Sequence, residues 1–142
     1  MTPNRHLCAC GSGLRAVRCC QLDPAVLPPN GAARPLAPVI ERAVELHRQK
    51  DDVEAEKLCL EVLELAPSQP DALSLLYRIR RQGGEERAAD ALLRRFVAIY
   101  PNTFWATNEL ALALLTKGAI AEAEVHARNA VRIAPDNPSR II

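Results

Sequence analysis

"CLEVLELAP" (residues 59–67), "RRFVAIYP" (94–101) and "ARNAVRIAP" (127–135) are three apolar-rich stretches, each closed by a proline. Pro67, Pro101 and Pro135 stand 34 residues apart, twice. A fixed period of this length marks stacked structural repeats. Working back from the prolines divides the chain into 36–69, 70–103 and 104–137. The columns of these units largely agree. The eighth place holds Ala43, Tyr77 and Ala111, and the twentieth Ala55, Ala89 and Ala123. The twenty-seventh holds Val62, Phe96 and Ala130, and the thirtieth Leu65, Ile99 and Ile133. Small residues let two antiparallel helices approach closely, and larger ones fill the space to the next unit. Each unit also breaks in its middle, at Lys50-Asp51-Asp52, Gly83-Gly84 and Gly118. Apolar residues recur at three- and four-residue steps, as at Leu58, Val62 and Leu65. The pattern predicts an all-α chain with helices near 38–49, 53–65, 71–82, 86–99, 104–117 and 120–133.

These units resemble tetratricopeptide (TPR) repeats, and the resemblance covers about 100 residues (37–137). It implies a TPR-like α-solenoid of three helix-turn-helix repeats. Leu76 and Leu110 occupy the family's leucine place, but the first repeat has Arg42 there. Val39, Leu73 and Thr107 replace the consensus tryptophan. By the family's pattern, the first helix of each repeat lines a concave groove. The residues carried onto it include His47, Arg48, Arg78, Arg81, Trp105 and Asn108. Arg78 and Arg81 form a basic centre that suits a carboxylate or an acidic peptide, or are simply solvated helix surface. Trp105, the one tryptophan, is either a groove anchor or packs against Tyr100 or Phe104. Ile40 and Val44 stand where the carboxylate clamp of chaperone-binding TPRs has a cation and an amide, so chaperone-tail binding is not expected.

Working outward to the N-terminus, "CACGSGLRAVRCC" (8–20) holds four of the five cysteines. Disulfides fit the spacing poorly, because Cys19-Cys20 closes only a strained ring. Four thiolates suit one tetrahedral Zn²⁺, with Cys8, Cys10, Cys19 and Cys20 as ligands. Gly11 and Gly13 permit a tight turn. Arg15 and Arg18 lie inside the loop and are expected to offset the net negative charge. A redox reaction that releases the metal remains an open alternative. The segment resembles the SEC-C motif, a zinc-binding module known from the SecA C-terminal tail and from many bacterial proteins. Cys8, Cys10, Gly11, Ser12, Gly13, Cys19 and Cys20 match it, while Leu14–Arg18 lacks the usual lysine-rich stretch with an aromatic residue. The resemblance implies one structural zinc and a protein-interaction role for residues 1–22. His6 is read as a bystander, and Cys59 as a core residue.

Residues 23–36 carry Pro24, Pro28, Pro29 and Pro35 and read as a connector that leaves the knuckle free to move. Residues 138–142 are a short tail. The chain has 142 residues, 49% of them hydrophobic, and a net charge of +1. That balance recruits neither nucleic acid nor an acidic membrane. No apolar run is long enough to span a bilayer, and Met1–Leu7 lacks the core of a signal peptide. A cytoplasmic location is therefore expected. No catalytic constellation is visible, so the chain is not read as an enzyme. The expected function is a protein- or peptide-binding adaptor or scaffold. The alternative is the N-terminal regulatory region of a longer TPR-containing enzyme, for which sulfotransferases offer an architectural analogy. No capping helix fits after the third repeat. Its last apolar face is expected to meet a second copy in a homodimer, or further residues of a longer chain.

Overall fold

Proline and glycine punctuation sets the helix ends. In the computed structural model, which describes residues 7–21, 23 and 36–134, six helices follow one another. They are α1 (Ala37–Arg48), α2 (Asp52–Leu65), α3 (Pro70–Gln82), α4 (Glu86–Ile99), α5 (Phe104–Thr116) and α6 (Ile120–Ile133). No regular strand occurs among the described residues. α1 and α3 start with proline in the first turn, where its missing N–H costs nothing. The Gln69 side chain caps α3 by accepting from Ala72 N at 2.8 Å. α2 ends at Ala66 (φ −136°, ψ 81°) and α4 at Tyr100 (φ −123°, ψ 71°), because the following proline disfavours helical geometry in the residue before it. α6 ends the same way at Ala134 (φ −138°, ψ 72°).

The backbone carries the 34-residue interval a second time. Positive φ occurs at Lys50 (66°), Gly84 (78°) and Gly118 (83°), each in the turn inside a helix pair. Glycine enters this left-handed region without a Cβ penalty, and Lys50 does not.

Neighbouring helices pack on each other throughout, and α1 also touches α3. Ala55, Ala89 and Ala123 are buried at the closest approaches, with Leu63, Leu73, Leu76, Leu92 and Leu93 filling the core. Leu65 departs from its column. It is 72% exposed, although its neighbours Leu63 and Ala66 are buried, whereas Ile99 is buried. Cys59 is buried, and burial pushes its thiol up to about 12.

The N-terminal segment is a small loop set on these helices. Leu7 and Arg15 form an isolated antiparallel bridge, Cys8 N donates to Leu14 O at 2.8 Å, and Ala16–Arg18 make one 3-10 turn. The expectation of a freely moving knuckle is corrected here. Leu14 is 3% exposed, and full burial of a leucine is worth about 1.5–3 kcal/mol. Polar contacts tie the loop to α2, α3 and α4. Residues 24–35 of the connector and the tail 138–142 lie outside the described residues, as do His6 and Pro135.

Candidate metal centre

Cys8 and Cys10 lie at the first turn of the loop, and Cys19 and Cys20 follow the 3-10 turn. The bridge between Leu7 and Arg15 folds the two pairs together. All four Sγ atoms lie within 4.8 Å of one another. Four sulfurs around a tetrahedral Zn²⁺ would stand about 3.8 Å apart, given bonds of about 2.3 Å. Cys10 Sγ and Cys19 Sγ are already 3.5 Å apart. The donor set and its size therefore suit a metal ion. All five cysteines are free thiols.

The electrostatics of the cluster point the same way. Burial alone would raise the Cys8 thiol, but hydrogen bonds from Cys10 and Cys20 bring it down to about 6. Burial pushes Cys19 up to about 11, and the negative charge of Cys10 adds to this, while Ser12 and Arg95 oppose it. Burial is thus the main resistance to ionisation at Cys19, and a cation among the four sulfurs would favour the thiolate form.

Gly11 (φ 88°) and Gly13 (φ 93°) hold the turn between the pairs. They also permit close approach to the helices. A Cβ on Gly13 would lie 2.7 Å from Arg80 Nη2 and 3.4 Å from Leu60. A Cβ on Gly11 would touch Ala88. Ser12, fully buried, shares a hydrogen bond of 3.1 Å with Cys19 Sγ and accepts from Leu14 N. Its carbonyl accepts from Arg80 Nη2 at 2.6 Å and from Arg80 Nε at 3.2 Å.

Arg15 and Arg18 make contacts that their place in the loop does not foretell. Both side chains turn to Glu64 on α2, with Arg15 Nε 2.9 Å and Arg18 Nε 3.4 Å from its carboxylate. The hydrogen bond from Arg15 holds the Glu64 carboxyl below the usual carboxylate range. These arginines fasten the loop to α2. Sequence reasoning missed the two that reach the loop's carbonyls from the helices, Arg80 and Arg95. Both are buried, at 5% and 7% exposure. A signal was present: Arg80 follows Leu73 and Leu76 in helical register, and Arg95 falls between Leu92 and Ile99. A charge on an apolar face needs a partner.

The expected groove residues other than Trp105 distribute over three hollows. His47, Arg48 and Arg78 line one of about 550 Å³ between α1 and α3, together with Ile40, Val44 and Leu75. Glu41, Glu45 and Asp71 line it too, so this hollow carries both signs of charge rather than a basic centre. His47 Nδ1 is 2.8 Å from Asp52, and Arg48 Nη1 donates to Glu45 at 2.9 Å. Arg78 lies over the Trp105 ring, 5.5 Å from its centroid. Trp105 packs on Phe96 and Tyr77, with centroids 5.0 and 6.0 Å away, and not on Phe104. Arg81 lies apart in a hollow of about 130 Å³. It donates to Tyr77 Oη at 2.9 Å, and Tyr77 in turn donates to Glu109 at 2.7 Å. Burial, with Glu109 adding to it, pushes the Tyr77 hydroxyl up to about 12. Asn108 belongs to a third hollow of about 260 Å³, on the α5/α6 face with Leu112, Leu115 and Val131.

Among the described residues no helix is long and apolar enough to cross a membrane. In comparison with known families and curated proteins, the chain matches no family model and no curated protein.

Proposed function

We propose that this chain is a protein- or peptide-binding scaffold of the TPR type, stabilised at one end by a SEC-C-like knuckle that holds one structural zinc. The observation that carries the binding role is the hollow of about 550 Å³ between α1 and α3. Its floor is apolar, with Val44 38% exposed, and its rim bears charges of both signs. An extended peptide with alternating apolar and charged side chains matches such a surface. The recurrence of the same turn geometry every 34 residues, at Lys50, Gly84 and Gly118, supports the repeat reading. Four thiolates leave a zinc no open position for water, so its part is structural.

Trp105 is the one tryptophan and touches Arg78 at the groove, so its fluorescence serves as the readout. Peptides selected from a random display library on the intact protein should shift that emission. They should lose binding to Val44→Glu and to Arg78→Glu. Peptides that bind both variants as well as the parent would defeat the groove reading.

A further inference from the structure

A four-thiolate centre around a dication carries a net negative charge, and something must compensate it inside the protein. The knuckle's own arginines, Arg15 and Arg18, do so weakly: they share the single Glu64 carboxylate, and at 46% and 40% exposure the charge left over is screened by solvent. Arg95, on α4, is different. It is 7% exposed. Among the described residues its Nη1 donates to the Arg18 carbonyl at 3.4 Å, and its Nε has no hydrogen-bond partner. A buried guanidinium is costly unless a counter-charge meets it. The residue after Arg18 is the buried Cys19, so this contact sets the guanidinium against the backbone next to one of the four sulfurs. Arg80 has its charge met by Glu56 at 2.6 Å and Glu85 at 3.5 Å. Its remaining donors clamp the carbonyl of Ser12, whose hydroxyl bonds Cys19 Sγ.

We propose that the repeat helices complete the metal centre: Arg95 supplies the counter-charge to the metal-bound thiolates, and Arg80 is a positioning residue that holds the Ser12 turn. The four cysteines are then not a self-sufficient knuckle. Their metal affinity depends on α3 and α4, about 60 to 85 residues away in sequence. By linkage, metal binding stabilises the helices that supply these arginines. The inference rests on the metal reading of the cluster.

Cobalt(II) titration of the full chain tests both, because thiolate-to-cobalt absorption reports ligation directly. One Co²⁺ per chain is expected for the parent. Arg95→Leu and Arg80→Ala should each lower the affinity by about 10–100-fold, the usual loss for outer-shell partners. Arg95→Lys should recover most of it. A structural role predicts something else, so the melting temperature of metal-free protein is the second readout. If the metal centre is its counter-charge, removing this buried charge should leave the metal-free Arg95→Leu protein as stable as the parent, or more so. Should Arg80→Ala fail to fold, Arg80→Lys keeps the stem but not the fork and is titrated instead. Unchanged affinity in the Arg95 and Arg80 variants overturns the inference while leaving the metal reading intact. A loss of affinity matched by a loss of metal-free stability in Arg95→Leu overturns it too. Failure of the parent to bind Co²⁺ removes the metal reading itself, and the inference with it.

Discussion

Residues 7–21 bury little besides Leu14, Ser12, Cys8 and Cys19, whereas residues 36–134 bury a continuous row of leucines and alanines across six helices. The helices close their hydrogen bonds internally and hide an apolar face against each neighbour. The knuckle has one bridge, one 3-10 turn and a cluster of thiols. A segment that short cannot bury enough surface to hold its own fold. It therefore draws on the helices for its polar groups, and its four sulfurs are gathered closely enough to hold a metal ion. The contrast teaches that burial does different work in the two regions. In the repeats it excludes water from carbon. Under the knuckle it brings Arg80 and Arg95 to the carbonyls of Ser12 and Arg18.

The largest test of this contrast is Cys19→Ser. It removes a buried ligand, and structural zinc sites bind with apparent energies of about 10–16 kcal/mol. Native mass spectrometry should find one zinc on the parent and none on the variant. Far-UV circular dichroism of the variant should retain the helical signal of the repeats. Complete loss of helicity would mean that the helices, too, require the metal.

Leu76→Ala probes the opposite side, since Leu76 is fully buried in the helical core. It should cost about 2–5 kcal/mol in urea unfolding, through lost transfer energy and the cavity left behind. A smaller cost would show that the repeats pack more loosely than their burial implies.

Gly13→Ala acts at the joint between the two regions. The added methyl would meet Arg80 Nη2 at 2.7 Å and occupy a left-handed backbone position (φ 93°). The left-handed conformation alone costs about 1–2 kcal/mol for a residue with a Cβ. Weaker metal binding and faster proteolysis within residues 7–21 are expected, with the helices intact. Parent-like proteolysis would show that the loop does not depend on this seat.

The smallest effect is that of Glu64→Gln, an exposed contact between the two regions. The Arg15 contact holds the Glu64 carboxyl low, so its contribution is fully present above the ordinary glutamate pKa of about 4.3. It fades as pH falls through the lower folded value. In metal-free protein, the difference in melting temperature between parent and Glu64→Gln should therefore be present near neutrality and vanish in acid. A difference that persists in acid would rule out the charge as its source.

The helices were readable in the sequence because proline and glycine act locally. Pro67 and Pro101 stop a helix whatever surrounds them, and the expected helices fall within two residues of those found. Cys8, Cys10, Cys19 and Cys20 were readable for a similar reason, since short spacing forces them together. The groove was less readable. Register placed His47, Arg48 and Arg78 on one hollow, but Arg81 binds Tyr77 and Asn108 faces another side.

Local stereochemistry and apolar periodicity, both properties of neighbouring residues, determined by themselves the six helices, their breaks and the thiol cluster. Only the tertiary structure decided which arginines serve which site. Arg15 and Arg18 lie nearest the cysteines along the chain yet meet Glu64, while Arg80 and Arg95 arrive from distant helices. A guanidinium sits on a long stem, and its partner is set by burial and by which acceptors the fold brings within about 3 Å. Sequence distance does not measure that.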